Sequence, residues 1–79
     1  NVKSIQRGLL HITNLTSSAT ISSVNTDKSL LFISYKMAVT AMYDTVFPYW
    51  AFESNTQILF KTRSGYPDYT VAWQVIEFN

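Results

Sequence analysis

The sequence predicts a small all-β domain of six strands. Three observations carry this expectation. Val, Ile, Thr, Tyr, Phe and Trp are dense along the chain, and these residues favour the pleated, half-buried surface of a strand. Apolar runs are short and are broken by turn residues about every ten positions. Helical periodicity is nowhere sustained over the roughly ten residues a helix needs.

Taken in order, Val2 to Ile12 reads as the first strand, with Gly8 as a bend or bulge. Asn14 to Ser18 turns into a second strand from Ala19 to Val24. Asn25-Thr26-Asp27 closes it, because these side chains bond their own backbone in turns. Ser29 to Lys36 is the third strand and the best candidate for the core. Met37 to Pro48 is the least regular segment and fits a long loop, one helical turn or an extra strand. Tyr49 to Glu53 is the fourth strand, Ser54-Asn55 a turn, and Gln57 to Arg63 the fifth strand. Ser64-Gly65-Tyr66-Pro67-Asp68 then turns into a sixth strand from Tyr69 to Phe78.

Side chains alternate between the two sides of a strand. In the fifth strand this sends Ile58, Phe60 and Thr62 to the core and Leu59, Lys61 and Arg63 away from it. The sixth carries Tyr69, Val71, Trp73 and Val75 on one face and Ala72, Ile76 and Phe78 on the other. A strand apolar on both sides is covered twice. Two readings fit: a central strand between two layers, or a strand whose second face, Ile76 and Phe78, meets a neighbouring subunit. Phe32, Phe60 and Trp73 are the expected centre of the core.

At 79 residues the chain is one expected domain, residues 1–79. So short a chain buries only about 60% of its unfolded surface, so its core alone is marginal. Small domains gain stability from disulfides, metals or association. With no cysteine, one histidine and five scattered carboxylates, neither a disulfide nor a metal cage is expected, and self-association remains. A net charge of +1 is too weak to draw in a nucleic-acid backbone. No apolar run approaches the roughly 20 residues that span a bilayer, so no membrane insertion is expected. The chain starts with Asn1 rather than Met, which fits a processed product or a piece of a longer polypeptide.

The chemistry-bearing residues argue against an enzyme. Nucleophilic catalysis needs a base beside the nucleophile, and the candidate is His11, which lies in a strand between Leu9 and Thr13 on its face. A satisfied or solvent-facing histidine is the expectation. Asp27, Asp44, Glu53, Asp68 and Glu77 show no spacing that suggests a catalytic pair. Gly8 and Gly65 are too far apart for a phosphate-binding loop. No cofactor is expected. Asn14-Leu15-Thr16 matches the glycosylation acceptor pattern, which matters only in a eukaryotic secretory pathway. Among the aromatics from Tyr43 to Phe52, Trp50 and Phe52 read as core. Tyr43, Phe47 and Tyr49, beside Asp44 and Pro48, fit either a binding surface or loop packing.

The segments Val2-Lys3-Ser4-Ile5-Gln6-Arg7-Gly8, Ile21 to Ser29 and Thr70 to Phe78 resemble small C-terminal domains of bacteriophage fibre and receptor-binding proteins. The resemblance covers nearly the whole chain. It implies a six-stranded antiparallel β-sandwich similar to the H-type lectin fold, trimeric at the end of a fibre. The implied function is attachment to a host-surface glycan or protein, at the virion surface. Met37 to Pro48 departs from the family's small, Gly- and Ser-rich connection by its aromatics. The alternatives are a structural trimerisation cap or capsid decoration knob without ligand, a secreted, extracellular H-type-like lectin, and a nucleic-acid-binding barrel. The last wants several Lys or Arg among stacking aromatics, and only Lys61 and Arg63 come close.

Strand parity places the expected binding site. Six strands running alternately up and down put the connections at 14–18, 37–48 and 64–68 at the end far from Asn1. The candidate ligand contacts are therefore Tyr43, Asp44, Phe47, Tyr49 and Tyr66, with Arg63 and Asp68 as polar partners.

Overall fold

The structure, a computed structural model, describes residues 1–37, 48–62 and 68–79. Six strands occupy them: β1 (Val2–Ile12), β2 (Thr16–Thr20), β3 (Ser29–Met37), β4 (Pro48–Ser54), β5 (Gln57–Thr62) and β6 (Tyr69–Phe78). They form two antiparallel three-stranded sheets, β1-β6-β3 and β2-β5-β4. Consecutive strands lie in opposite sheets except β4 and β5, which are joined by the two-residue Asn55-Thr56 turn. This alternation lets the inner faces of both sheets share one core. Ile12, Tyr69, Val71 and Val75 come from the first sheet, Ile58 and Phe60 from the second, and Ile21 and Val24 from the segment between β2 and β3.

The inner faces are joined by hydrogen bonds as well as by apolar contact. The Thr62 and Tyr69 hydroxyls lie 2.9 Å apart, fully buried between the sheets. At the other end, Ile21 and Val24 donate backbone hydrogen bonds to the Thr56 and Asn55 carbonyls. A 3₁₀ turn at Thr26–Lys28 follows, with Asn25 as N-cap accepting from the Asp27 N–H. The Asn25-Thr26-Asp27 cluster therefore forms the turn that leads into β3 and does not close the second strand, which ends at Thr20.

The first and sixth strands have the expected bounds, and Ile58, Phe60 and Thr62 face the core as expected. Four expectations are corrected. The second strand is Thr16–Thr20, not Ala19–Val24. Ser17 and Ala19 fill its inner side, while Ile21 and Val24 reach the core from coil. The third strand is an edge strand, and Phe32 is not core: it is 49% exposed, opposite Gln74 on the outward face, and Leu31 and Ile33 point inward instead. Trp73 lies at the margin of the core, partly buried, and not at its centre. Gly8 is not the bulge, which falls between Val2 and Ser4. Gly8 pairs regularly with Trp73, and a Cβ on it would come within 3.0 Å of the Trp73 ring. The missing side chain is what lets the indole lie across the strand.

The register also fixes direction. Ile12 and Met37 both pair with Tyr69, and Thr16 and Pro48 lie beside Lys61 and Thr62. The strand ends bracketing residues 13–15, 38–47 and 63–68 therefore share one end of the domain. Both chain termini lie at the other, where the Asn79 N–H donates to the Asn1 carbonyl.

Candidate functional site

The two sheets present very different outer faces. On β2, β5 and β4 the outward residues are Thr16, Ser18 and Thr20, then Gln57, Leu59 and Lys61, then Tyr49, Ala51 and Glu53. This is an ordinary solvated surface. On β1-β6-β3 the outward residues form cross-strand rows. Val2 and Phe78 pair nearest the termini, followed by Ile5, Ile76 and Leu30, and then by Arg7, Gln74 and Phe32. Leu9, Ala72 and Ser34 come next, and His11, Thr70 and Lys36 last.

The apolar members of this face are not incidental. Val2, Ile5, Leu30 and Phe32 are each about half exposed and Leu9 is 76% exposed. Single surface hydrophobes are normal, but these lie in neighbouring cross-strand rows of one sheet face. Ala72, short at the middle of the central strand, leaves a groove of about 480 Å³ between Leu9, Phe32, Ser34, Arg7 and Gln74. A second depression, at Leu30 and Phe78 beside Asp27, Lys28 and Ser29, continues the surface toward the termini. Ile76 and Phe78, singled out from the sequence, are thus two members of a wider face. The sequence reading missed Val2, Ile5, Leu9, Leu30 and Phe32. The usable signal was alternation in the first strand, where Ile5 and Leu9 share parity with Arg7 and oppose Leu10 and Ile12.

At the end far from the termini, two of the expected ligand contacts are described. Tyr49 is exposed on β4, and Asp68 accepts from or pairs with His11, Oδ1 to Nε2, at 2.6 Å. Tyr43, Asp44, Phe47, Arg63 and Tyr66 lie outside the described residues. Beneath this end Tyr35 packs against Trp50 and Tyr69, with ring centroids 6.2 and 5.9 Å apart. The His11 and Asp68 side chains are both about half exposed, so they stand in bulk solvent rather than in a closed cleft. Among the described residues no group of three or more His, Cys, Asp or Glu is gathered to hold a metal. Among them, too, no helix is long and apolar enough to cross a membrane.

Glu77 is the one buried carboxylate among the described residues, 4% exposed on the inner side of β6. It accepts from the Asn25 N–H at 2.9 Å and from Ser4 Oγ at 3.3 Å, and Lys3 Nζ stands 3.8 Å away. The backbone hydrogen bond from Asn25 leads in holding its pKa below the ordinary 4.5, with Lys3 and Ser4 adding to it against the opposing effect of burial. Its place beside the termini and its satisfied oxygens make it a structural clamp.

Fold and surface together define a two-sheet all-β module with one solvated outer face and one that is apolar toward the termini and polar at the far end. No family model, curated protein or solved structure matches the chain.

Proposed function

We propose that this chain is a non-catalytic attachment module of the bacteriophage fibre-tip kind. In this reading it trimerises through the outer face of β1-β6-β3, and it binds a host-surface glycan or protein at the end opposite its termini. The observation that carries the reading is the contrast between the two outer faces. A marginal core without disulfides needs further burial, and the apolar face, with Ile76 and Phe78 on its central strand, supplies it. The strand ends support the second half: those bracketing residues 38–47 and 63–68 stand together, away from Asn1 and Asn79.

The test replaces Tyr43, Phe47 and Tyr66 by Ala and measures binding to host cells or a glycan array, with mass and melting temperature as controls. Lost binding in a folded variant of unchanged mass is expected. Unchanged binding would remove the distal site and leave a structural cap or decoration knob as the better reading.

A further inference from the structure

We infer that the ligand taken at the end far from the termini is an acidic glycan, one whose sugars carry carboxylates, and that it docks on the row Thr16, Lys61 and Tyr49 of the second sheet. The inference rests on the distal attachment proposed above and adds the place and the chemistry of the ligand.

The first argument is the division of charge along the domain. Asp27, Glu53 and Glu77 all lie toward the termini: Asp27 in the turn before β3, Glu53 beside the turn into β5, and Glu77 opposite Ser29. At the far end stand Lys36, opposite Thr70, and Lys61, opposite Thr16. The one carboxylate described there, Asp68, is held by His11 at 2.6 Å. Neither Lys36 nor Lys61 has an ion-pair partner among the described residues. The far end is therefore complementary to a negative ligand, and the terminal end is not.

The second argument is what stands beside Lys61. β5 is the central strand of its sheet, and the register sets Lys61 between Thr16 on β2 and Tyr49 on β4. All three point outward and are exposed, Tyr49 to 57%. Neighbouring strands are about 4.8 Å apart, so hydroxyl, ammonium and ring stand side by side across about 10 Å. The negative face of an aromatic ring receives the polarised C–H face of a pyranose. The Lys61 ammonium donates to a carboxylate, and the Thr16 hydroxyl donates to or accepts from sugar hydroxyls. In the next row toward the termini, Ser18 lies beside Thr16 and Ala51 beside Tyr49, and these short side chains leave room for a ring.

Magnitudes narrow the ligand class. An exposed ion pair is weak by itself, so charge alone does not select a ligand here. Ring contact and carboxylate must come from one molecule, which a sugar acid provides. A nucleic-acid backbone is held by several cations on successive phosphates, and this row holds one. The corresponding row of the first sheet, His11, Thr70 and Lys36, has no ring, and its histidine is engaged by Asp68. The row on the second sheet also stays open to solvent when copies associate through the first.

The test is binding of the intact chain to an array of uronate- and sialate-bearing glycans, beside the same glycans with their carboxylates reduced to alcohols. Binding to the acidic members that is lost on reduction is expected. Lys61→Gln and Tyr49→Ala should each weaken it by about fivefold or more at an unchanged melting temperature, because both side chains stand in solvent, and Lys61→Arg should retain it. Glu53→Gln, at the other end of β4, should leave binding unchanged. A gain in Glu53→Gln equal to the loss in Lys61→Gln would mean that net charge and not this row attracts the ligand, and would overturn the inference. Equal binding to acidic and reduced glycans, unaffected by Lys61→Gln, would overturn it while leaving a distal glycan site standing. Acidic-glycan binding that needs Lys61 but survives the loss of Tyr43, Phe47 and Tyr66 would support the row and set the connections aside. Binding to no glycan would overturn the inference and leave a protein receptor for the distal end.

Discussion

The Glu77 carboxylate accepts a 2.9 Å hydrogen bond from the backbone N–H of Asn25, 52 residues away in sequence. This contact ties the end of β6 to the crossing between the sheets. Ser29 Oγ donates to the Asn25 carbonyl at 2.7 Å, so Asn25 is held on both sides just where the chain enters β3. One buried carboxylate thus organises the end of the domain that carries both termini.

A pH dependence follows from that carboxylate. Its folded pKa is depressed, so the stability it contributes is complete above its ordinary value near 4.5 and is lost as the pH falls through the folded value. Denaturant midpoints measured across this acid range should fall for the parent chain, and Glu77→Gln should be less stable at neutral pH with a shallower acid limb. Parallel pH profiles for the two proteins would show that Glu77 does not carry this linkage.

Gly8→Ala should destabilise the domain by about 1–3 kcal/mol, the usual range for overpacking, because the new methyl overlaps the Trp73 indole. Urea unfolding reads the loss, and a shift in tryptophan emission should accompany it as the ring moves. A Gly8→Ala variant as stable as the parent would mean that the indole does not occupy the strand surface there.

Phe60 and Phe32 stand on opposite faces of their sheets, one buried and one half exposed. Phe60 is 2% exposed, and truncating a buried phenylalanine costs about 3–5 kcal/mol, close to the whole stability of so small a domain. Phe60→Ala should fail to fold. Phe32→Ala should keep the far-ultraviolet circular dichroism of the parent and lose association instead. Equal loss of fold in both variants would contradict the outward placement of Phe32.

Tyr69→Phe leaves the buried Thr62 hydroxyl without its 2.9 Å partner. An orphaned buried hydroxyl costs about 1–3 kcal/mol, so the melting temperature should drop measurably. Adding Thr62→Val should recover part of it, since replacing both polar partners by apolar groups is nearly neutral.

Much of the fold was legible in the residues, and the failures have physical causes. β1 and β6 are long, rich in branched and aromatic side chains, and bounded by turn formers, so local preference and tertiary pairing agree. β2 lies earlier than expected because Thr16-Ser17-Ser18 has the composition of a turn, whereas pairing with β5 draws it into the sheet, with Ser17 opposite Phe60 and Ala19 opposite Ile58. Ile21 and Val24 look like strand but plug the core from coil, anchored to the Thr56 and Asn55 carbonyls. The edge position of β3, and with it the exposure of Leu30 and Phe32, is decided by pairing with β6, which a single strand's composition does not encode. Of the candidate site, Ile76 and Phe78 were visible because β6 is apolar on both sides. The rest of their face was hidden because it is assembled from three strands that are far apart in sequence.

The measurement that tests the central claim most directly is the solution mass of the intact chain by light scattering, at micromolar concentration, beside that of Ile76→Lys. Association through the outer face of β1-β6-β3 predicts close to three times 9.0 kDa for the parent and a shift toward 9.0 kDa for the folded variant. A parent that remains a stable 9.0 kDa monomer, with this face open to water, would contradict the account.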